Sequence, residues 1–244
     1  MYIMQKIKNS YKNIKTTKKV ISVAFLLLLV VVVACSLFAC KKSIKNLTKN
    51  LSNYSLTLNF DDGTKLLTGN EQVNYINSTP TSLSEVWFHL YPNAFSEKAK
   101  TKPVSNLYKQ KAYPNGEDYG YIKVNKVEVE GIAQDVKIAE PDDEILIVKL
   151  PTELFPEERV NIAIYFEVLL PNCLHRFGYG DNTYNFGNFY PIASVYENGS
   201  FGHDAYGANG DPFYSEMANY NVTITYNDNF TLASSGKQIS TENK

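Results

Sequence analysis

Val160-Asn-Ile-Ala-Ile-Tyr-Phe-Glu-Val168 sets Val160, Ile162, Ile164, Phe166 and Val168 on one side of an extended chain and Asn161, Ala163, Tyr165 and Glu167 on the other. A period of two belongs to a strand with one buried face. The pattern recurs outward in both directions. Towards the C-terminus, Tyr220, Val222, Ile224 and Tyr226 alternate with Asn221, Thr223 and Thr225. Towards the N-terminus, Tyr54, Leu56, Leu58 and Phe60 alternate, Asp61-Asp-Gly63 supplies a turn, and a return strand carries Val73 and Tyr75, as in a hairpin. Ser78-Thr-Pro-Thr-Ser82 breaks that pattern. Leu83 to Leu90 makes a further strand, which stops at Tyr91-Pro-Asn93 because Pro92 has no amide to give to a ladder.

Tyr121 to Val129 resumes the β pattern, Glu130-Gly131 turns it, and Ile132 to Ile138 continues it. Ile145-Leu-Ile-Val148 is apolar throughout, as in a central strand covered on both faces. No stretch after Cys40 places apolar residues at helical spacing, and no internal repeat is present. The expected fold is therefore all-β, a sandwich or saddle-like pair of sheets. Residues 94 to 120 read as a surface excursion, and residues 171 to 213, loaded with Gly, Asn and aromatics, as a long ordered loop region.

The chain has 244 residues, 44% of them hydrophobic and 13% aromatic, enough to bury a core. Six of its 24 Lys and Arg, and none of its 25 Asp and Glu, precede Cys40, so the remainder is acidic by seven charges. Such a body repels phosphate backbones, which excludes nucleic acid as a main partner.

Residues 1–40 have the layout of a signal peptide or membrane anchor. Lys6, Lys8, Lys12, Lys15, Lys18 and Lys19 precede an uncharged run from Val20 to Cys40, and Lys41-Lys42 follows. As one hydrophobic helix that run would rise about 30 Å, enough to cross a bilayer, and the lysines before it favour an inside N-terminus. The body is thus expected on the extracytoplasmic face of the cell membrane. Cys35 after Val-Val-Ala and Cys40 after Leu-Phe-Ala each resemble a bacterial lipobox. Cys40 is the favoured site of lipid attachment because lysines follow it directly, with Cys35 as the alternative and an uncleaved anchor helix as the other reading. Residues 41–53, rich in Lys, Asn and Ser, read as a tether, and residues 54–244 as the body. Cys173 is the body's single thiol and excludes an internal disulfide, which fits a Gram-positive surface protein. The triplets Asn77-Ser-Thr79 and Asn221-Val-Thr223 are read as chance in an Asn-rich chain.

Motifs that carry chemistry are few. His89, His175 and His203 are separated by 86 and 28 residues, so two imidazoles cannot project from one helical turn as a His-Glu-x-x-His zinc helix requires. A site built from His175, His203 and Asp204 would need the fold to gather distant residues. Cys173 could be a nucleophile if His175 or His203 folded onto it. Asp181, Asp204 and Asp211, set among glycines, could hold calcium or form turns. Tyr179, Tyr184, Phe186, Phe189 and Tyr190 could form a sugar-stacking platform, fill an irregular loop, or pack on another domain.

Four stretches carry a resemblance: Trp87-Phe-His-Leu-Tyr-Pro-Asn93, Asn188-Phe-Tyr-Pro191, Val195-Tyr196, and Gly210 to Tyr226 running into Phe230-Thr-Leu-Ala-Ser-Ser-Gly236. In wording and order they resemble the amino-terminal β-domain of the aminopeptidase N-like zinc metallopeptidases, in the divergent bacterial branch, over roughly residues 54 to 236. The resemblance implies a parent activity of zinc-assisted peptide hydrolysis. It also places zinc and the general base on a later helical domain and implies further strands after a segment like Thr231 to Gly236, so the β-domain is expected to be incomplete at its C-terminus. Family members bind the substrate's amino group through a Glu or Gln shortly before the Phe-Tyr-Pro position. Here Asn182, Tyr184 and Asn185 stand in that region, so no substrate-binding residue carries over. The expectation is a membrane-anchored metallopeptidase-like β-domain, not catalytic by itself, with no cofactor of its own and with zinc expected only in a full-length relative. Its expected partners are the membrane and a helical catalytic domain or chain packed on the sheet. The alternative is a surface lipoprotein whose β-sandwich binds carbohydrate or protein.

Overall fold

A computed structural model describes residues 50–139, 143–180 and 182–242. The expected N-terminal helix and both lipobox cysteines, Cys35 and Cys40, lie outside the described residues.

The first hairpin forms where the alternation places it. Strand β1 (Ser52–Asp61) buries Tyr54, Leu56, Leu58 and Phe60 and pairs antiparallel with β2 (Leu66–Ile76). The turn closes because the Asp61 carboxylate accepts the Gly63 amide at 2.9 Å and the Thr64 hydroxyl at 2.8 Å. This is the usual way a short acidic side chain substitutes for a backbone turn bond. At the far end of the hairpin Asn77 is fully buried and satisfied on every side. Its amide nitrogen donates to the Thr81 and Leu154 carbonyls, each at 2.8 Å, and its oxygen accepts from Thr79. The Asn77 triplet is therefore closed to glycosylation in the folded protein.

The remaining long strands are β3 (Leu83–His89), β4 (Tyr121–Val129), β7 (Ile145–Leu154), β8 (Arg159–Leu169) and β14 (Ala218–Thr225). Short pieces connect them: β5 (Ile132–Gln134), β6 (Lys137–Ala139), β9 (Phe177–Gly180), β10 (Thr183–Phe186), β11 (Ile192–Ala193), β12 (Tyr196–Glu197) and β13 (Ser200–Phe201). The larger sheet runs β14-β1-β2-β8-β4-β5 and the smaller β11-β3-β7-β6. Inward side chains of both sheets share one hydrophobic core, including Ile162, Ile164 and Phe166 from β8, Phe88 from β3 and Leu146 and Val148 from β7. The fold is thus predominantly β, and the only α-helix among the described residues is the single turn Lys109–Ala112. Each fully buried aliphatic side chain in such a core stabilises it by roughly 1.5–3 kcal/mol.

Ile145 to Val148 is buried on both faces, as its unbroken apolar run predicts. Gly69 is required for a specific reason: a Cβ there would overlap the ring of Phe166, its cross-strand partner on β8.

Three expectations need adjustment. The stretch 132–138 is two strands, since β5 pairs with β4 in the larger sheet while β6 pairs with β7 in the smaller. That crossing makes one corner of the sandwich. The region 171–213 contains the β9–β10 hairpin and the short strands β11 to β13, which its Gly and Asn content hides. Finally, β14 is parallel to β1 at the sheet edge and is largely exposed, with Tyr220 at 47% and Val222 at 51% although they share the inward face. The smaller sheet ends on this side in β11, two residues long, and so has nothing with which to cover them.

Candidate functional site

The stretches that carry the resemblance meet in space. Trp87 to His89 lies on β3, and β11 pairs with it through Ile192 to His89 and Ala193 to Phe88, so the residues around Asn188–Pro191 are brought beside that strand. The Ser194 amide extends the contact by donating to the Trp87 carbonyl at 2.9 Å. Tyr190 then reaches the opposite sheet. Its ring lies edge-on to Tyr54 at 6.2 Å and to Tyr220 at 5.9 Å, while Tyr54 and Tyr220 stack at 5.0 Å. The Tyr54 hydroxyl accepts the Ala193 amide at 3.1 Å. An aromatic seam therefore ties β1, β14 and the entry to β11 together. Burial holds the Tyr54 and Tyr190 hydroxyls well above the ordinary phenol range, so both remain neutral.

Glu71 lies beneath this seam, on the inward face of β2 between Leu56 and Ile164. It is fully buried, and neither carboxylate oxygen has a hydrogen-bond partner. Burial raises its proton affinity well above the ordinary carboxyl range. The signal for it was available in sequence: Leu67, Gly69, Glu71, Val73 and Tyr75 share a parity, and an acid in that series must point inward.

A second polar group closes the end of β3. The 3-10 turn Tyr91–Phe95 follows, and Asn93 within it donates to the Asp143 carbonyl at 2.7 Å and accepts the Ile122 amide at 2.9 Å. The Tyr91 hydroxyl accepts the Tyr214 amide at 3.1 Å, and the Tyr91 ring stacks on His89 with centroids 4.6 Å apart. Glu144, also fully buried, accepts the Tyr206 amide at 2.9 Å. His89 feels the charges of Asp204 and His203, but burial dominates and lowers its pKa to about 4, leaving a neutral imidazole.

The distant site imagined from His175, His203 and Asp204 is not assembled. His203 packs on Trp87 with ring centroids 5.8 Å apart, whereas His175 lies against Phe95 at 5.9 Å. Among the described residues no group of three His, Cys, Asp or Glu side chains is placed to hold a metal ion. For the imagined calcium loop, Asp211 pairs with Arg176 at 3.7 Å, Asp204 faces His89, and Asp181 lies outside the described residues. Cys173 is buried, and its thiol faces Tyr113, with burial pushing it up to about 11. Neither histidine stands among the groups acting on that thiol, so the nucleophile reading has no base.

The loop aromatics form one chain of mostly edge-on or tilted ring contacts: Tyr179 lies 6.1 Å from Tyr184, Phe60 bridges Tyr184 and Phe186, and Phe189 lies 5.5 Å from Phe186 and 5.4 Å from Tyr190. Tyr184 packs edge-on to Phe60 at 4.9 Å and to Phe230 at 5.3 Å, whereas Tyr190 belongs to Tyr54. Tyr54 and Phe60 are six residues apart on β1, roughly 20 Å of extended chain, so the two tyrosines sit at opposite ends of the strand. Lys65 fills the remaining space between Tyr179 and Tyr184, 5.3 Å from each ring centroid.

No family model matches the chain, and no curated protein matches it. Solved structures do. An M1 zinc metallopeptidase from Deinococcus radiodurans, solved with a Tyr-Ser-Ala substrate, is similar at 15% identity and a TM-score of 0.31, over 49% of this chain and 20% of that one. A two-domain M1 zinc metallopeptidase bound to L-arginine is similar at 14% identity and a TM-score of 0.33, over 71% of this chain and 31% of that one. Native yeast LTA4 hydrolase is similar at 11% identity and a TM-score of 0.27, over 48% of this chain and 14% of that one. The chain thus spans less than a third of the length of each of these proteins.

Of the positions near the expected substrate-binding region, Asn185 is occupied in holding the loop, donating to the His175 carbonyl at 3.1 Å. Asn182 is exposed, and Tyr184 is taken up by Phe60 and Lys65. What the seam can do chemically is position strands and present the apolar face of β14.

Proposed function

We propose that the chain is a membrane-anchored, extracytoplasmic β-domain of a metallopeptidase-like protein in the divergent bacterial branch of the aminopeptidase N-like family, without catalytic competence of its own. Lipid on Cys40, or alternatively on Cys35 or an uncleaved helix, provides the anchor. The observation that carries this reading is the convergence of the resembling stretches: Trp87–Asn93, Asn188–Pro191 and Ala218–Thr225 meet around Tyr54 and β11, as parts of one structural unit would. The half-exposed Tyr220 and Val222 supply a face on which a helical catalytic domain or chain packs. Zinc enters only through that partner, where a metal-bound water would be the nucleophile of peptide hydrolysis.

Reading the coding DNA beyond codon 244 tests the proposal. Codons for a His-Glu-x-x-His helix, in any frame, support it; a downstream region with none, and no partner gene encoding one, counts against it. The alternative is a surface lipoprotein whose β-sandwich binds carbohydrate or protein, and glycan binding lost on substituting Tyr184 or Tyr190 would favour it.

A further inference from the structure

Glu71 is a carboxyl placed where an aliphatic residue belongs. Its cross-strand neighbours on the core face are Leu56 and Ile164, and along β2 its neighbours on that face are Gly69 and Val73, none of which can titrate or donate. The titratable groups that feel a charge at Glu71 come from three separate elements: Tyr54 on β1, Tyr190 on the segment entering β11, and Tyr220 on β14. Burial is what raises its proton affinity, and among the described residues no lysine, arginine or histidine offsets a charge there.

We infer that Glu71 is a proton-operated latch beneath the edge strand: with its carboxyl protonated the Tyr54–Tyr190–Tyr220 seam closes over it, and loss of that proton frees β14 together with Tyr190. The reason is asymmetric cost. A neutral carboxyl is tolerated in a core, whereas an unpaired carboxylate is not. The core offers two ways to relieve it. Opening β2 from β1 and β8 would sacrifice the two longest ladders of the sheet, nine and eleven residue pairs long. Lifting β14 costs one eight-pair parallel edge ladder whose side chains are already half exposed, and it admits water from the open side. The edge yields first.

Hydrogen exchange read by mass spectrometry on the full chain in detergent micelles, between pH 5 and pH 8, tests this. After correction for intrinsic exchange, protection of the 218–225 amides should fall with rising pH, by up to about tenfold per unit while the closed form retains its proton. The β2 and β8 amides should hold their protection. In Glu71→Gln the 218–225 protection should be independent of pH, and Glu71→Leu, which suits the core, provides the same comparison if the amide variant folds poorly. An unchanged pH slope in the variants, a flat profile in the native chain, or loss of β2 and β8 protection in step with β14 would overturn the latch.

Discussion

Tyr220 stacks on Tyr54 with ring centroids 5.0 Å apart and planes 23° from parallel, and the two residues are direct partners in the parallel ladder between β14 and β1. One ring pair thus joins the first and the last strand among the described residues. An aromatic contact of this kind contributes about 0.5–1.5 kcal/mol beyond the area it buries.

Removing that ring should act locally. Tyr220→Ala deletes the stack and the edge contact with Tyr190, and is expected to destabilise the protein by about 1–3 kcal/mol, less than the loss of a fully buried aromatic. Urea denaturation followed by circular dichroism measures the difference, and limited proteolysis should show new cleavage within 218–230. An unchanged midpoint would mean that β14 is held by its backbone alone.

Asn93 ties three segments together with one amide: the turn after β3, the start of β4 at Ile122 and the residue Asp143 before β7. Asn93→Ala leaves two buried backbone groups without partners, at about 1–3 kcal/mol each. Asn93→Asp keeps the acceptor for Ile122 but buries a charge with an oxygen turned to the Asp143 carbonyl, and should destabilise at least as much as the alanine variant. The same denaturation series ranks them.

His89 predicts an acid-side loss of stability. Its folded pKa, lowered by burial to about 4, lies below the ordinary value of 6.5. The unfolded chain therefore binds the proton more readily, and this contribution is intact above pH 6.5 and is lost as pH falls towards 4, with a slope of up to about 1.4 kcal/mol per pH unit. Glu71 acts in the opposite sense, its contribution being lost as pH rises above the ordinary carboxyl range. His89→Phe preserves a ring against Tyr91 and should flatten the acid limb between pH 6.5 and 4 while leaving the alkaline side unaltered.

Cys173 should be inert. With burial raising its thiol to about 11 from an ordinary 9, thiolate at neutral pH is scarcer by about a hundredfold, and the side chain is covered besides. Iodoacetamide labelling at pH 7.5, mapped by peptide mass spectrometry, should leave Cys173 unmodified in native protein and modify it fully in urea. Rapid native labelling would point to a base that the fold does not show.

The β architecture was legible because parity survives in the long strands. Val160 to Val168 and Tyr54 to Phe60 bury the residues their alternation selects. Where pairing partners are short, parity gives no direction: β5 and β6 join different sheets within eight residues, and nothing local to Ile132–Ala139 decides that. Tyr220 and Val222 read as half-buried from their own sequence, yet their exposure depends on how far the opposite sheet extends, which is a property of residues near 192. Glu71 was legible in principle from its place between Gly69 and Val73. The convergence of His89, His203 and Asp204 was not, because the loop bearing the latter two is positioned by aromatic contacts such as Trp87 with Phe201 and Tyr91 with Phe213, not by any periodic signal.

On the function proposed above, this polypeptide is a scaffold that depends on a partner for its metal. Zinc content per mole of the purified full chain, measured after equilibration with zinc and gel filtration and paired with an assay of peptide turnover, tests it most directly. Well below one zinc per chain and no chelator-sensitive hydrolysis are expected. One tightly held zinc per chain, with turnover abolished by removing it, would contradict it.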